Sequence, residues 1–164
     1  MSKPLFIVDS MLGTLAKWLR ILGFDTLYFR SIDDNELIRI SKQQQRILIT
    51  RDSRLIKSKK IGRHIFIHSE DLEKQLNEVL SFLSSETFSF NFFSRCIKCN
   101  GILMKVEKNS IFNVVPEYIY RNNESFFRCS KCGKVYWEGS HIDMIEKKIQ
   151  EIRRFIERNN IGSS

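Results

Sequence analysis

The sequence predicts an α/β protein: a parallel sheet layered between helices, followed by a small cysteine-bearing appendage and a terminal amphipathic helix. Three observations predict it. Short apolar runs alternate with amphipathic stretches through the first half of the 164 residues. The texture changes near residue 86, where "ETFSFNFFSR" alternates Phe with polar residues. All four cysteines lie beyond that point, in two C-x-x-C pairs. Alternating strands and helices argue for right-handed crossovers with helices on both faces of a parallel sheet. Strands buried on both faces are apolar throughout, as "LFIV" and "ILI" are.

The elements follow in order. "LFIVD" is the first strand, with Asp9 at its carboxyl end. "SMLGTLAKWLRILG" is the first helix, with Ser10 as N-cap and Gly23 just past its end. Its apolar positions Met11, Leu12, Leu15, Ala16, Trp18, Leu19 and Leu22 give it a broad buried face. "DTLYF" is the second strand, and "DDNELIRISKQQQ" is a helix opened by aspartates that suit its dipole. "RILIT" is the third strand, "RDSRLIKSKKIG" a turn and short helix, and "HIFIH" the fourth strand, flanked by His64 and His68. "SEDLEKQLNEVLSFLS" is the third helix, headed by Ser69 in a start that resembles a capping box. The last stretch, His141 to Arg158, sets Ile142, Ile145, Ile149, Ile152 and Ile156 on one helical face.

Cys96-x-x-Cys99 and Cys129-x-x-Cys132 are each followed closely by glycine, which lets the chain turn so that its amides face the sulfurs. Two such knuckles supply four thiolates in the closed tetrahedral set of structural zinc. Soft thiolates select zinc or iron over magnesium, and rubredoxin-like iron is the alternative. The insert between the pairs carries β-branched and aromatic runs, read as strands of a zinc ribbon. Four protein ligands leave that metal no open position, so its role is structural. Beside the second knuckle, Tyr136, Trp137 and His141 are assigned to packing or RNA contact.

No apolar run approaches the length that spans a membrane, and "MSKPLFIVDS" lacks signal-peptide anatomy, so a cytoplasmic location is expected. There the thiols stay reduced, which disfavours disulfides. Lys and Arg number 27 against 19 acidic residues, a net charge of +8 that favours a polyanionic partner such as RNA or the ribosome.

A carboxylate at the end of a buried strand costs several kcal/mol unless something pairs with it. In open α/β sheets functional groups collect beyond the carboxyl ends of the strands. Asp9, Asp33 with Asp34, Asp52, and Glu70 with Asp71 follow the four strands in turn. Converging carboxylates raise one another's pKa unless a cation joins them. Magnesium or manganese, bound through carboxylates and water, activates water against a phosphodiester. The competing reading makes Asp33 or Asp34 an N-cap, Asp52 a cap of the short helix after the third strand, and Asp71 a first-turn acid. Arg20, Arg51 and Lys17 are candidate phosphate contacts, with an exposed or ion-paired arginine as the alternative for Arg20.

"FIVDSMLGTLAKWLRILGFDT", "DDNELI", "ILITRDSRL", "RCIKCNGIL", "VVPEYIY" and "FFRCSKCGKVYWEGSH" together resemble the Mut-seven C-terminal RNase domain family over about residues 5 to 148. The resemblance implies a PIN-like three-layer domain with a zinc ribbon attached, and metal-dependent cleavage of RNA. Carried across by position, Asp9, Asp34 and Asp52 are the catalytic acids, with Asp33 a neighbour and Asp71 nearest to a fourth. On this reading residues 1–88 form the PIN-like domain, 89–140 the ribbon, and 141–160 a helix packed on the rest. The alternative is a non-catalytic RNA- or ribosome-binding module with a vestigial acidic site.

Overall fold

The computed structural model describes residues 3–83 and 89–160; for residues 140–142, 155–156 and 159–160 it describes the backbone alone. Ile142, Ile156 and the His141 side chain therefore lie outside the described side chains. The chain divides into two compact units at Asn91/Phe92.

The first unit is an α/β sandwich. Strands β1 (Phe6–Val8), β2 (Thr26–Tyr28), β3 (Ile47–Thr50) and β4 (His64–Phe66) form one parallel sheet in the order β2-β1-β3-β4. All three residues of β1 and all four of β3 are buried, which is what central strands covered on both faces require. Helices α1 (Gly13–Ile21), α2 (Asp34–Gln43) and α3 (Leu72–Phe82) supply the cover. Ile7 and Leu48, paired in register, pack with Leu37 and Ile38 of α2. Alternation along the strand turns Phe6, Val8, Ile47 and Ile49 the other way. On α1, Leu15, Ala16 and Leu19 are buried, and α1 touches α3.

At the amino edge of the sheet, buried Arg46 donates to the Phe6 carbonyl and pairs with Asp25 at 2.7 Å. This ion pair bridges the starts of the strands. At the carboxyl edge, the chain leaves β1 toward β2 on one side, while β3 lies on the other. The sheet's topological switch point thus falls between the ends of β1 and β3, where open α/β sheets form their crevice.

Two helix starts differ from the sequence expectation. Ser10 does not cap the first helix: a single 3-10 turn over Ser10–Leu12 precedes α1, and Asp9 caps that turn by accepting from the Ser10 amide. Ser69 does not cap the third helix either. Asp71 is the N-cap of α3, accepting from the Lys74 amide at 3.1 Å, and the Ser69 hydroxyl accepts from the Asp71 amide instead. A carboxylate outcompetes a hydroxyl for this place because the helix end carries partial positive charge. Gly23 ends α1 in the left-handed region, at φ 87°, as expected.

In the second unit, β5 (Leu103–Val106), β6 (Phe126–Cys129) and β7 (Val135–Trp137) form an antiparallel sheet. Ile111, Val115 and Phe126 form its core, and Trp137 packs on them. The insert between the knuckles is not all strand. After a 3-10 turn it includes α4 (Glu117–Asn122), whose N-cap Pro116 presets φ at −53° and whose Glu117 and Arg121 pair one turn apart. Helix α5 spans Ser140–Asn160, with Ile149 and Ile152 buried. No helix among the described residues is long and apolar enough to cross a membrane.

Candidate functional site

Asp9 leaves β1 with its amide still on the ladder, donating to the Ile49 carbonyl at 2.9 Å. Its side chain is buried, yet both oxygens are used. One accepts from the Ser10 amide at 2.7 Å, and the other from the Thr50 hydroxyl at 2.6 Å. The Thr50 oxygen in turn accepts from the Asp52 amide at 2.9 Å. A hydrogen-bonded chain therefore links Asp9 to the backbone of Asp52 across the switch point. It offsets the desolvation of the Asp9 carboxylate.

The Asp52 carboxylate accepts from the Arg54 amide at 2.8 Å and meets the Arg54 guanidinium at 3.3 Å. The Arg54 side chain, and then its amide, hold Asp52 below the usual carboxylate range. Asp52 chiefly, and Asp34 in part, raise the arginine's own pKa. Arg54 thus feels two of the three carboxylates named as catalytic. Asp34 occupies the first turn of α2, while Asp33 is its N-cap, accepting from the Glu36 amide at 3.0 Å. With their N-cap roles, Asp33 and Asp71 are accounted for structurally.

No three carboxylates among the described residues bring oxygens within 4.8 Å of one another. Among the described residues, the only group of three or more such ligands with atoms within 4.8 Å of one another is Cys96, Cys99, Cys129 and Cys132. Cys96 and Cys132 sulfurs lie 3.7 Å apart, Cys99 and Cys129 sulfurs 3.4 Å. The Cys129 sulfur also receives the amides of Lys131 and Cys132, and the Cys96 sulfur lies 3.1 Å from the Tyr136 hydroxyl. Burial opposes ionisation of Cys129, but those amides and the adjacent thiols bring it down to about 7. Burial pushes Cys99 up to about 12, its neighbouring sulfurs adding to the shift. Four close-set thiols, two of which, Cys96 and Cys129, are shifted toward the thiolate, suit a soft cation such as zinc, which would keep all four deprotonated.

The turns after the two knuckles differ. Gly133 has φ 73°, as a glycine there was expected to, but in the first knuckle Asn100 takes the left-handed place at φ 66°. Gly101 is there for room: a Cβ on it would lie 2.7 Å from the Cys129 sulfur.

Arg20 is buried in the last turn of α1, with Nε donating to the Thr26 carbonyl at 2.9 Å, so it braces the turn into β2. Lys17 is exposed, and Arg51 is partly exposed and pairs loosely with Glu70 at 3.2 Å. Sequence reasoning missed Thr50 and Arg54. The signal for Thr50 was a hydroxyl two residues before an aspartate at a strand end, the spacing of a side-chain turn.

No curated protein and no solved structure matches the chain. The family model described as the Mut7-C RNAse domain matches residues 4–149, from ahead of β1 into α5. With the larger part of its 164 residues inside that match, the chain belongs to the Mut7-C RNAse domain family, whose fold is PIN-like.

Proposed function

We propose that this chain is a divalent-metal-dependent ribonuclease that works in the cytoplasm and carries a structural zinc in its four-cysteine knuckles. The observation that carries the proposal is the Asp9–Thr50–Asp52 hydrogen-bond chain at the switch point. Besides capping the turn after β1, the buried Asp9 is tied through Thr50 to the backbone of Asp52 at the carboxyl ends of the central strands, which supports a common centre for the two acids.

Asp9, Asp34 and Asp52 are hard oxygen donors; Asp9 Oδ2 keeps a lone pair beyond its bond from Thr50, while Oδ1 accepts from the Ser10 amide and, at 3.4 Å, from the Ser10 hydroxyl. In kind they fit magnesium or manganese. Held there, that ion supplies an activated water and neutralises charge at the phosphodiester. The protein's part is to hold Asp9 rigidly and to release Arg54 from Asp52. Arg54 is exposed and its contact long, so a competing cation displaces it at small cost. The net charge of +8 supports RNA as the substrate.

Manganese-supplemented protein is expected to cleave single-stranded or structured RNA, and Asp9→Asn and Asp52→Asn to abolish cleavage while leaving the circular dichroism unchanged. Metal analysis is expected to give about one zinc per chain. The second reading is an RNA- or ribosome-binding module without catalysis. It is favoured by the unclustered carboxylates and the Arg54 contact. Equal RNA binding by wild type and both variants, with no cleavage by any, establishes it instead.

A further inference from the structure

Beside the acidic edge, a cleft of about 550 Å³ opens within the first unit. That is the size of a site for one small ligand. Its lining samples the ends of all the parallel strands: Ser10 follows β1, Tyr28 ends β2 and Arg30 follows it, Arg51 follows β3, and Glu70 follows β4. Lys17 of α1 completes it. The four aspartates Asp9, Asp33, Asp34 and Asp52 are not in the lining. The residues next to two of them, Ser10 and Arg51, are. At the end of β3 the cation Arg51 thus precedes the acid Asp52 by one residue, and at the end of β1 the neutral Ser10 follows Asp9.

The charge of the cleft is one-sided. Lys17, Arg30 and Arg51 face a single carboxylate, Glu70, which is 87% exposed and touches only Arg51 among the described residues. Neither Lys17 nor Arg30 has a carboxylate partner among the described residues. Three cations from three separate elements converge with one weak counter-charge, which is the arrangement that recognises a phosphate.

The floor of the cleft is fitted. The Tyr28 hydroxyl donates to the Ser10 carbonyl at 2.8 Å, crossing over Gly13. A Cβ on Gly13 would lie 2.7 Å from the Tyr28 hydroxyl oxygen, so glycine gives the ring room to pass. At the rim stands Met11, which the helical pattern assigned to the buried face but which is 57% exposed. Met11 and Leu72 give the lining apolar side chains beside its cations. An exposed thioether next to a basic pocket suits the flat face of a base.

We propose that this cleft is a nucleotide pocket. It takes one phosphorylated nucleoside unit of a single strand, with the phosphate on Lys17, Arg30 and Arg51 and the nucleoside against Met11 and Leu72. The proposal rests on the ribonuclease reading for its biological meaning, since a phosphate anchored there sets the next linkage of the strand beside Asp9 and Asp52. Its chemistry can be tested without that reading.

The test uses the zinc-loaded full chain with no magnesium or manganese added. Amide shifts at Gly13, Thr14 and Lys17 are followed by NMR during titration with a nucleoside 5′-monophosphate, a 3′-monophosphate, the unphosphorylated nucleoside and inorganic phosphate. Expected is saturable binding of at least one monophosphate, tighter than inorganic phosphate and far tighter than the nucleoside. Lys17→Ala with Arg30→Ala is expected to weaken it by about tenfold or more, the worth of a lost charge-assisted contact. Glu70→Gln is expected to strengthen it, since that change removes the one opposing charge and frees Arg51. Inorganic phosphate binding as tightly as the nucleotides would reduce the cleft to a bare anion site and overturn the proposal. Unaltered binding in the double variant would overturn it too. Nucleotide binding without RNA cleavage defeats the ribonuclease reading alone, and cleavage without nucleotide binding defeats the pocket alone.

Discussion

Thr50 ends β3 with its side chain buried, and its hydroxyl is used twice, donating to Asp9 and accepting from the Asp52 amide. Replacing it by valine keeps the shape and strips both bonds. Thr50→Val is expected to cost about 1–3 kcal/mol in urea unfolding, the penalty for stranding buried polar groups. It is also expected to lower RNA cleavage. At Gly101 the limit is space. Gly101→Ala sets a Cβ against the Cys129 sulfur, so zinc affinity is expected to fall in a competition assay with a colorimetric chelator. Residue by residue, the sequence announced the chemical types well. Asp9 stood out because it followed four apolar residues, and the cysteines because of their spacing. The structural contact of Arg20 was not legible, because it depends on where the chain goes after the helix. The guanidinium reaches Thr26, six residues on, and no helical periodicity reveals such a contact. Asn100 was not legible as the turning residue because asparagine takes the left-handed region only occasionally, while the glycine beside it takes it readily.

At the scale of elements, the strands were legible and the helix starts less so. Phe6–Val8 and Ile47–Thr50 are apolar runs too short for helices, and both are buried strands. Both misread helix starts, at Ser10 and Ser69, have an aspartate within two residues that takes the N-cap place. α4 was hidden because Tyr, Ile and Tyr also suit strands, and its start depends on Pro116. One element end carries a pH signature. Glu78 of α3 reaches back to the loop after β4. Burial disfavours its charge, but the His68 and Ser69 amides at 2.8 and 3.0 Å, with the His68 ring, outweigh that and hold its pKa below the ordinary 4.5. Because the folded value is the lower one, this stabilisation is fully present above pH 4.5 and is lost as pH falls through the folded pKa. Glu78→Gln is therefore expected to destabilise the protein at neutral pH and to make little difference in strong acid, as measured by urea midpoints across the acid range.

For the whole molecule, two units with different cohesion imply two responses to chelation. The first has a sheet covered by helices. The second contains small clusters beside four thiols. Stripping zinc with a strong chelator is expected to remove the calorimetric transition of the second unit while that of the first persists, because metal binding and folding are coupled in such small domains. Alternation of strands and helices made the parallel sheet legible, but not the order β2-β1-β3-β4. That order depends on which side each crossover takes, and one sequence carries no direct record of it.

The parallel ladder that pairs Val8 with Ile49, and carries the Asp9 amide to the Ile49 carbonyl, works as a ruler. A slip of one place would swing every side chain of β1 to the opposite surface and take Asp9 with it. The separation of the two acids is consequently inherited from main-chain bonding deep in the sheet. Loop residues that do not bond to either carboxylate can change without disturbing that interval.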